Sequence, residues 1–272
     1  MWITRQPAGA LAGLVDGYLA YSLLGGAPAI HRGLPSSNMT FIVSIGAPIM
    51  VCRQTSAAQP PDRYRCVLSG LQASTALILH DGNQEGVAIE LSPLGCRAIF
   101  GLPARELWDR SYEASAVLGR AGDELWERVN EAATWDQRLT ACDIVLSRLA
   151  GEQRVTTELT HAWSSIVNAH GQIHIDAVAR QIGYSRQHFA RLFRDEFGLN
   201  PKLAGRIARF ESAVSMMRSV PAFVPLGEVA ATCGFADQAH LCHEVAALAG
   251  CTPSELLLED LPIVQDAAVA GV

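Results

Sequence analysis

The sequence predicts an α+β chain: a β-rich N-terminal barrel with flanking helices, then an all-α domain of two helix-turn-helix units joined by a long helix. Three observations carry that prediction. Short apolar segments separated by turn residues fill the first third of the 272 residues. From Ser92 onward the apolar spacing changes from a strand-like to a helical period. Near the C-terminus a stretch repeats itself at an offset of 51 to 52 residues.

The strand candidates come first. Residues 39–53 are apolar on both faces and interrupted at Gly46 and Pro48; 66–68, 76–79 and 87–91 follow. Gly70, Asp81-Gly82-Asn83 and Ser92-Pro93 supply the turns between them. The tract 54–65, with Pro60-Pro61, reads as a loop. Ser92 can cap a helix with Pro93 at its first position, and Pro103 starts another short one. Residues 123–149 are helical with a break near Thr134, their apolar faces formed by Leu125, Val129, Leu139, Ile144, Val145 and Leu149. A further helix over 152–169 turns Leu159, Trp163, Ile166 and Val167 inward and ends before Gly171. The expected division is 1–120 for a β-rich domain, 121–158 for linking helices, 159–260 for the repeat-containing domain and 261–272 for a frayed tail.

Composition narrows the class. A hydrophobic content of 49% with 18% charge describes a globular chain. No apolar run reaches the ~18 residues of a membrane span, and the N-terminus lacks a secretion-signal layout. Seven scattered cysteines without a CxxC spacing fit reduced, buried thiols in a cytoplasm. The net charge of −6 conceals a strong asymmetry. Residues 172–220 hold eight Lys and Arg against four Asp and Glu, whereas 221–272 hold seven acids and no Lys or Arg. The positive charge is concentrated around the first repeat copy.

In copy one, Asp176 can cap a short helix through Ile182, Gly183-Tyr184 forms the turn, and Ser185 caps a second helix to about Phe197. Phe189, Leu192, Phe193 and Phe197 fall on one face of that second helix; Arg186, Gln187, Ala190, Arg191 and Arg194 fall on the other. Arginine and glutamine pair bidentately with base edges, and spare arginines reach phosphates. Residues 202–218 form a long helix to copy two. There the first helix spans 226–233, Gly234-Phe235 turns, and Asp237 caps a helix with Leu241, Val245 and Leu248 inward. The outward face of that helix (Gln238, Ala239, Cys242, His243 and Ala246) has no permanent cation.

These residues resemble the DNA-binding domain of AraC/XylS-type transcriptional regulators over roughly 160–258. The resemblance is carried by Ala179, Gly183-Tyr184-Ser185, Phe189, Arg191, Phe193, Gly198 and Pro201 in copy one. In copy two it is carried by Gly234-Phe235-Ala236-Asp237, His240-Leu241 and Gly250-Cys251-Thr252-Pro253. It implies two recognition helices in successive major-groove segments of one duplex, about 34 Å apart. It further implies base-facing positions at Gln187, Ala190 and Arg191, and at Gln238, Ala239, Cys242 and His243. Arg180, Arg186, Arg194, Lys202, Arg206 and Arg209 are the expected phosphate contacts. The family usually has Arg or Lys at the place of His243 and an aromatic at that of Val245. The N-terminal part is similar, more loosely, to the cupin-like sensor domains of such regulators, on 31–36, His80-Asp81-Gly82 and 91–95.

The expected partners are double-stranded DNA, a small-molecule effector, and a second copy of the chain through the N-terminal domain or the linking helices. No membrane, metal, cofactor or catalytic activity is expected. Cys233, His240, Cys242, His243 and Cys251 match no zinc spacing. His31 and His80 lack the His-x-His and carboxylate of a cupin metal centre. No Gly-x-Ser-x-Gly elbow or phosphate loop is present. Trp108, Trp126, Trp135 and Trp163 read as core or interface residues. The competing class is a cupin-like small-molecule binder or enzyme whose helices serve packing or partner contact.

Overall fold

Ten strands build two antiparallel sheets in the N-terminal half of a computed structural model that describes residues 1–218 and 224–259. The strands are β1 (Trp2–Arg5), β2 (Val15–Leu23), β3 (Ala29–Gly33), β4 (Met39–Ser44), β5 (Ile49–Arg53), β6 (Asp62–Tyr64), β7 (Cys66–Ser69), β8 (Ala76–His80), β9 (Gln84–Leu91) and β10 (Ser111–Glu113). One sheet has the order β1-β2-β9-β4-β7-β10 and the other β3-β8-β5-β6. The region predicted as a loop thus contains a short strand, β6, paired to β5 through Ile49–Tyr64 and Val51–Asp62. Pro60 and Pro61 precede it, where their missing N–H groups interrupt no ladder.

The longest strand, β2, was not anticipated. Its central residues are buried on both faces: Tyr18 and Ala20 belong to the main core, while Leu19 and Tyr21 cluster with Ala88 and Trp2. A strand covered on both sides loses the polar–apolar alternation by which it would be read.

Helices α1 (Cys96–Phe100), α2 (Ala114–Leu118), α3 (Arg120–Glu131) and α4 (Trp135–Leu149) follow the barrel. The break near Thr134 is a capping box: Thr134 Oγ1 accepts from the Gln137 amide, and Gln137 Oε1 accepts from the Thr134 amide. These helices are fastened to the sheet and do not form a free linker. Asp143 on α4 accepts from the Tyr18 hydroxyl at 2.9 Å and pairs with Arg5. Asn130 on α3 donates to the Ser44 carbonyl at 3.0 Å. Ile144, expected inward, is exposed.

The C-terminal unit comprises α5 (Thr157–Asn168), α6 (Ile175–Gln181), α7 (Arg186–Phe197), α8 (Pro201–Arg218), α9 (Leu226–Thr232), α10 (Gln238–Ala249) and α11 (Pro253–Leu257). Helix α5 belongs to this unit. Its Trp163 stacks on Phe193 and Phe197 of α7, with ring centroids 5.7 and 4.6 Å apart. The expected tail 261–272 lies outside the described residues.

The barrel and the helical unit share one continuous apolar core, reinforced by polar ties. Glu196, 6% exposed on α7, receives three hydrogen bonds from Arg97 of α1 at 2.8, 3.0 and 2.8 Å. Ser36 and Ser37 donate to Glu211 of α8, and Thr75 donates to the Leu248 carbonyl at the end of α10. Arg32 pairs with Glu259. Gly198 caps α7 with φ of +84°, and a Cβ there would lie 2.7 Å from Trp108 Cβ. Gly198→Ala is therefore expected to lower stability by roughly 2–4 kcal/mol, from left-handed strain plus overpacking. Urea denaturation checks it, and an unchanged midpoint would mean that α7 does not press on Trp108.

Candidate DNA-binding surface and barrel cavity

Both repeat copies fold into the same local device. In copy one the chain leaves α6 through Gly183 (φ +75°), the Tyr184 amide donates back to the Ala179 carbonyl at 2.9 Å, and Ser185 Oγ accepts from the His188 amide. In copy two Gly234 (φ +74°), Phe235 to Ala230 at 2.9 Å, and Asp237 to His240 at 2.7 Å repeat the pattern. Glycine is required at both turns because an L side chain disfavours positive φ. Tyr184 meets His188 edge-on, as Phe235 meets His240. The expected Asp176 cap is not used. Helix α6 begins at Ile175 with His174 as its N-terminal flank, and Asp176 sits in the first turn 3.4 Å from Arg186. An acid there still favours the positive end of the helix dipole.

The apolar faces fall as their spacing demands. Phe189, Phe193 and Phe197 are fully buried on α7, and Leu241, Val245 and Leu248 are buried on α10. The opposite face of α7 places Arg186, Gln187, Arg191 and Arg194 in solvent, with Ala190 half-buried among them. Arg180 of α6 and Lys202 of α8 are exposed too. Among the described residues Arg180, Arg194 and Lys202 have no ion pair. Arg191 bonds Asp195 at 3.1 Å and approaches His188 at 3.4 Å. An exposed pair of this kind contributes about 0–1 kcal/mol, so it does not hold the guanidinium against a better acceptor.

On α10, Gln238, Ala239 and His243 are exposed and Cys242 is half-buried. The two remaining expected phosphate contacts are partly exposed and also have partners within the domain. Arg206 bonds Glu244 of α10 at 2.8 and 3.1 Å, and Arg209 lies 5.9 Å over the Phe235 ring and donates to the Gly234 carbonyl. Arg206 neutralises an acid next to His243 that would otherwise repel a phosphate. Glu196 and Glu244 were overlooked in the sequence. Glu196 was detectable, since it lies three residues after Phe193 on the buried stripe.

Residues 178–258 match the family model of a helix-turn-helix domain. The segment is a helix-turn-helix domain of the AraC type. By that domain the chain is a DNA-binding regulator. No curated protein matches it in sequence. Among solved structures, it is similar to unsaturated fatty acid bound wild-type ToxT from Vibrio cholerae, with 12% identity, 93% of this chain and 96% of that one covered, and a TM-score of 0.52. It is also similar to Vibrio cholerae ToxT bound to (E)-4-(8-methylnaphthalen-1-yl)but-3-enoic acid, with 12% identity, 88% and 98% covered, and a TM-score of 0.50. At such identity the likeness is one of fold, and it extends through the barrel as well as the AraC-type domain.

The barrel holds a partly open cavity of about 130 Å³ between its two sheets. Met39, Phe41, Ile42, Val51, Ile78 and Ile89 line it, with polar groups from His31, Arg32, Glu90 and, from the AraC-type domain, Glu211. Burial and the His80 ring beside it push the His31 imidazole down to about 4, so it is neutral. Burial, with the charges of Asp16 and Glu211, pushes the Glu90 carboxyl up to about 7. A carboxyl raised on folding binds its proton more tightly in the folded state, so its ionisation costs stability increasingly as pH rises through about 7. Glu90→Gln is expected to raise stability by about 2 kcal/mol at pH 8 and much less at pH 5. Denaturation at the two pH values checks this, and an equal effect at both would refute it.

Among the described residues no group of three or more His, Cys, Asp and Glu is placed to hold a metal ion. No helix there is long and apolar enough to cross a membrane. Cys66, Cys96, Cys142, Cys233 and Cys251 are buried, and burial pushes the thiols of Cys96 and Cys142 up to about 12, which makes them poor nucleophiles.

Proposed function

We propose that the protein is a cytoplasmic, sequence-specific transcriptional regulator whose two helix-turn-helix units grip one DNA duplex unequally. In this reading Arg191 and Gln187 of α7 read base edges beside the small Ala190. Arg180, Arg186, Arg194 and Lys202 hold phosphates around copy one. Copy two reads bases through Gln238, Ala239, Cys242 and His243 with no cation of its own. The observation that carries the proposal is the solvent-facing row of arginines on α7, opposite a fully buried phenylalanine stripe.

The barrel cavity is the proposed effector site. Two features support it: Glu211, on the helix that joins the two helix-turn-helix units, forms part of its wall, and fold-related ToxT is known with small molecules bound. Homodimerisation through the barrel or through α3 and α4 belongs to the same proposal, with exposed Ile144 as an apolar contact on α4.

Selection of bound duplexes from a random pool, followed by affinity measurement across salt concentration, tests the DNA claim. Four phosphate contacts predict a slope of log K against log salt of roughly −3 to −4. An enriched motif with that slope is expected. Failure to enrich any motif, or a slope near zero, would overturn the proposal.

A further inference from the structure

The cavity's charge is unusual for its shape. Of the titratable groups that line it, Tyr21 is kept neutral by burial, which raises its hydroxyl, and His31 is neutral as well. Arg32, the one cation in the wall among the described residues, pairs through Nη1 with Glu259, while its Nε has no partner there. Two carboxylates remain. Glu211 accepts from Ser36 Oγ at 2.8 Å, and from the Ser37 amide and hydroxyl at 3.3 and 2.5 Å. A carboxylate offers about four acceptor sites, so Glu211 has capacity left. Glu90, half-buried, has no hydrogen bond or ion pair among the described residues and is close enough to Glu211 to feel its charge. An unpaired buried charge costs several kcal/mol unless something compensates it. His31, on the same wall, has a buried Nδ1 with no hydrogen-bond partner among the described residues.

We infer that the cavity takes an amphipathic amine: a compact apolar body seated among the aliphatic side chains, with its ammonium between Glu90 and Glu211. The inference rests on the reading of the barrel as the effector site and specifies the ligand's charge. An ammonium carries three donors and no acceptor, which suits two carboxylates and a neutral imidazole. An anionic ligand would meet two like charges here, against one arginine whose Nη1 is paired with Glu259 and whose Nε alone is without a partner among the described residues. The volume limits the apolar body to about one ring, since a closed cavity of about 150 Å³ holds a benzene, and the open side leaves room for a short ammonium arm.

Calorimetric titration of the full chain at pH 8 with 2-phenylethylammonium, 2-phenylethanol and phenylacetate separates the classes with ligands of nearly equal size. The ammonium compound is expected to bind at least tenfold more tightly than the alcohol, with phenylacetate undetectable. Glu90→Gln and Glu211→Gln, which keep side-chain volume, should each remove most of that tenfold preference. Thermal melts establish that both variants fold. Lowering the pH to 6 should weaken ammonium binding several-fold as Glu90 takes up a proton. Equal binding of ammonium and alcohol overturns the charge assignment and leaves the cavity as an effector site. Tighter binding of phenylacetate, lost in Arg32→Gln, does the same. If none of the three binds, the inference and the effector site fall together, while the DNA selection above judges the regulator itself independently.

Discussion

Replacing Arg191 by alanine is expected to weaken binding to a selected operator by roughly ten- to hundredfold and to flatten the base preference at one position. The figure follows from the ~1–3 kcal/mol that a good bidentate contact to a base contributes. Arg191 sits on the exposed face of α7, between Gln187 and Arg194, with only a surface pair to Asp195 to give up. Loss of a phosphate contact would lower affinity on all sequences alike, so the diagnostic result is a change in preference. Gel-shift titrations on the operator and on its single-base variants measure both quantities. Unchanged preference would remove Arg191 from the base-reading set. His243→Ala, at the corresponding place in copy two, is expected to cost no more than about fivefold, because a single hydrogen bond contributes about 1 kcal/mol or less. A cost equal to that of Arg191→Ala would show that the two units read DNA equally.

Arg97→Ala is expected to destabilise the folded chain by about 3–5 kcal/mol, the largest stability effect anticipated for a single substitution here. The arginine is partly exposed, but its partner Glu196 lies buried beneath it and takes all three hydrogen bonds from that one guanidinium. Truncation leaves the carboxylate buried with nothing to compensate it. Exchanging both residues for methionine removes the charge with its partner, and that double variant should recover most of the loss. Urea denaturation of the single and double variants decides the matter. A single variant within 1 kcal/mol of the parent would mean that water reaches Glu196 freely. The pair joins α1 of the barrel side to α7, the proposed recognition helix, so DNA affinity should fall in Arg97→Ala even where the protein remains folded.

The parts legible in the sequence were those governed by local chemistry. Ser185, Asp237 and Thr134 mark helix starts because their side chains reach amides two or three residues on. Gly183 and Gly234 mark turns because positive φ excludes most other residues. The phenylalanines of α7 advertise a buried face by their spacing. Non-local packing was not legible. Strand β2 is covered on both sides by segments far away in the sequence, so its pattern shows no face. Ile144 keeps a core spacing on a helix surface that nothing among the described residues covers. Arg206 and Arg209 are expected against phosphate, and only the fold shows that Glu244 and Phe235 also lie against them. Glu90 and Glu211 lie 121 positions apart, so no motif could have joined them.

The last turn of each recognition helix ends against the barrel: α7 at Trp108 through Gly198, and α10 at Thr75 through the Leu248 carbonyl. The barrel therefore acts as a caliper, with the two reading heads as its jaws. In the proposed reading their separation is set partly by this third body and partly by α8, and the operator's half-sites must match that opening. A change in the barrel of one ångström at either rest would shift the spacer length the protein prefers, leaving the letters it recognises unaltered. Spacer preference, scored across operators that differ only in the number of base pairs between half-sites, is thus a direct gauge of the state of the N-terminal domain.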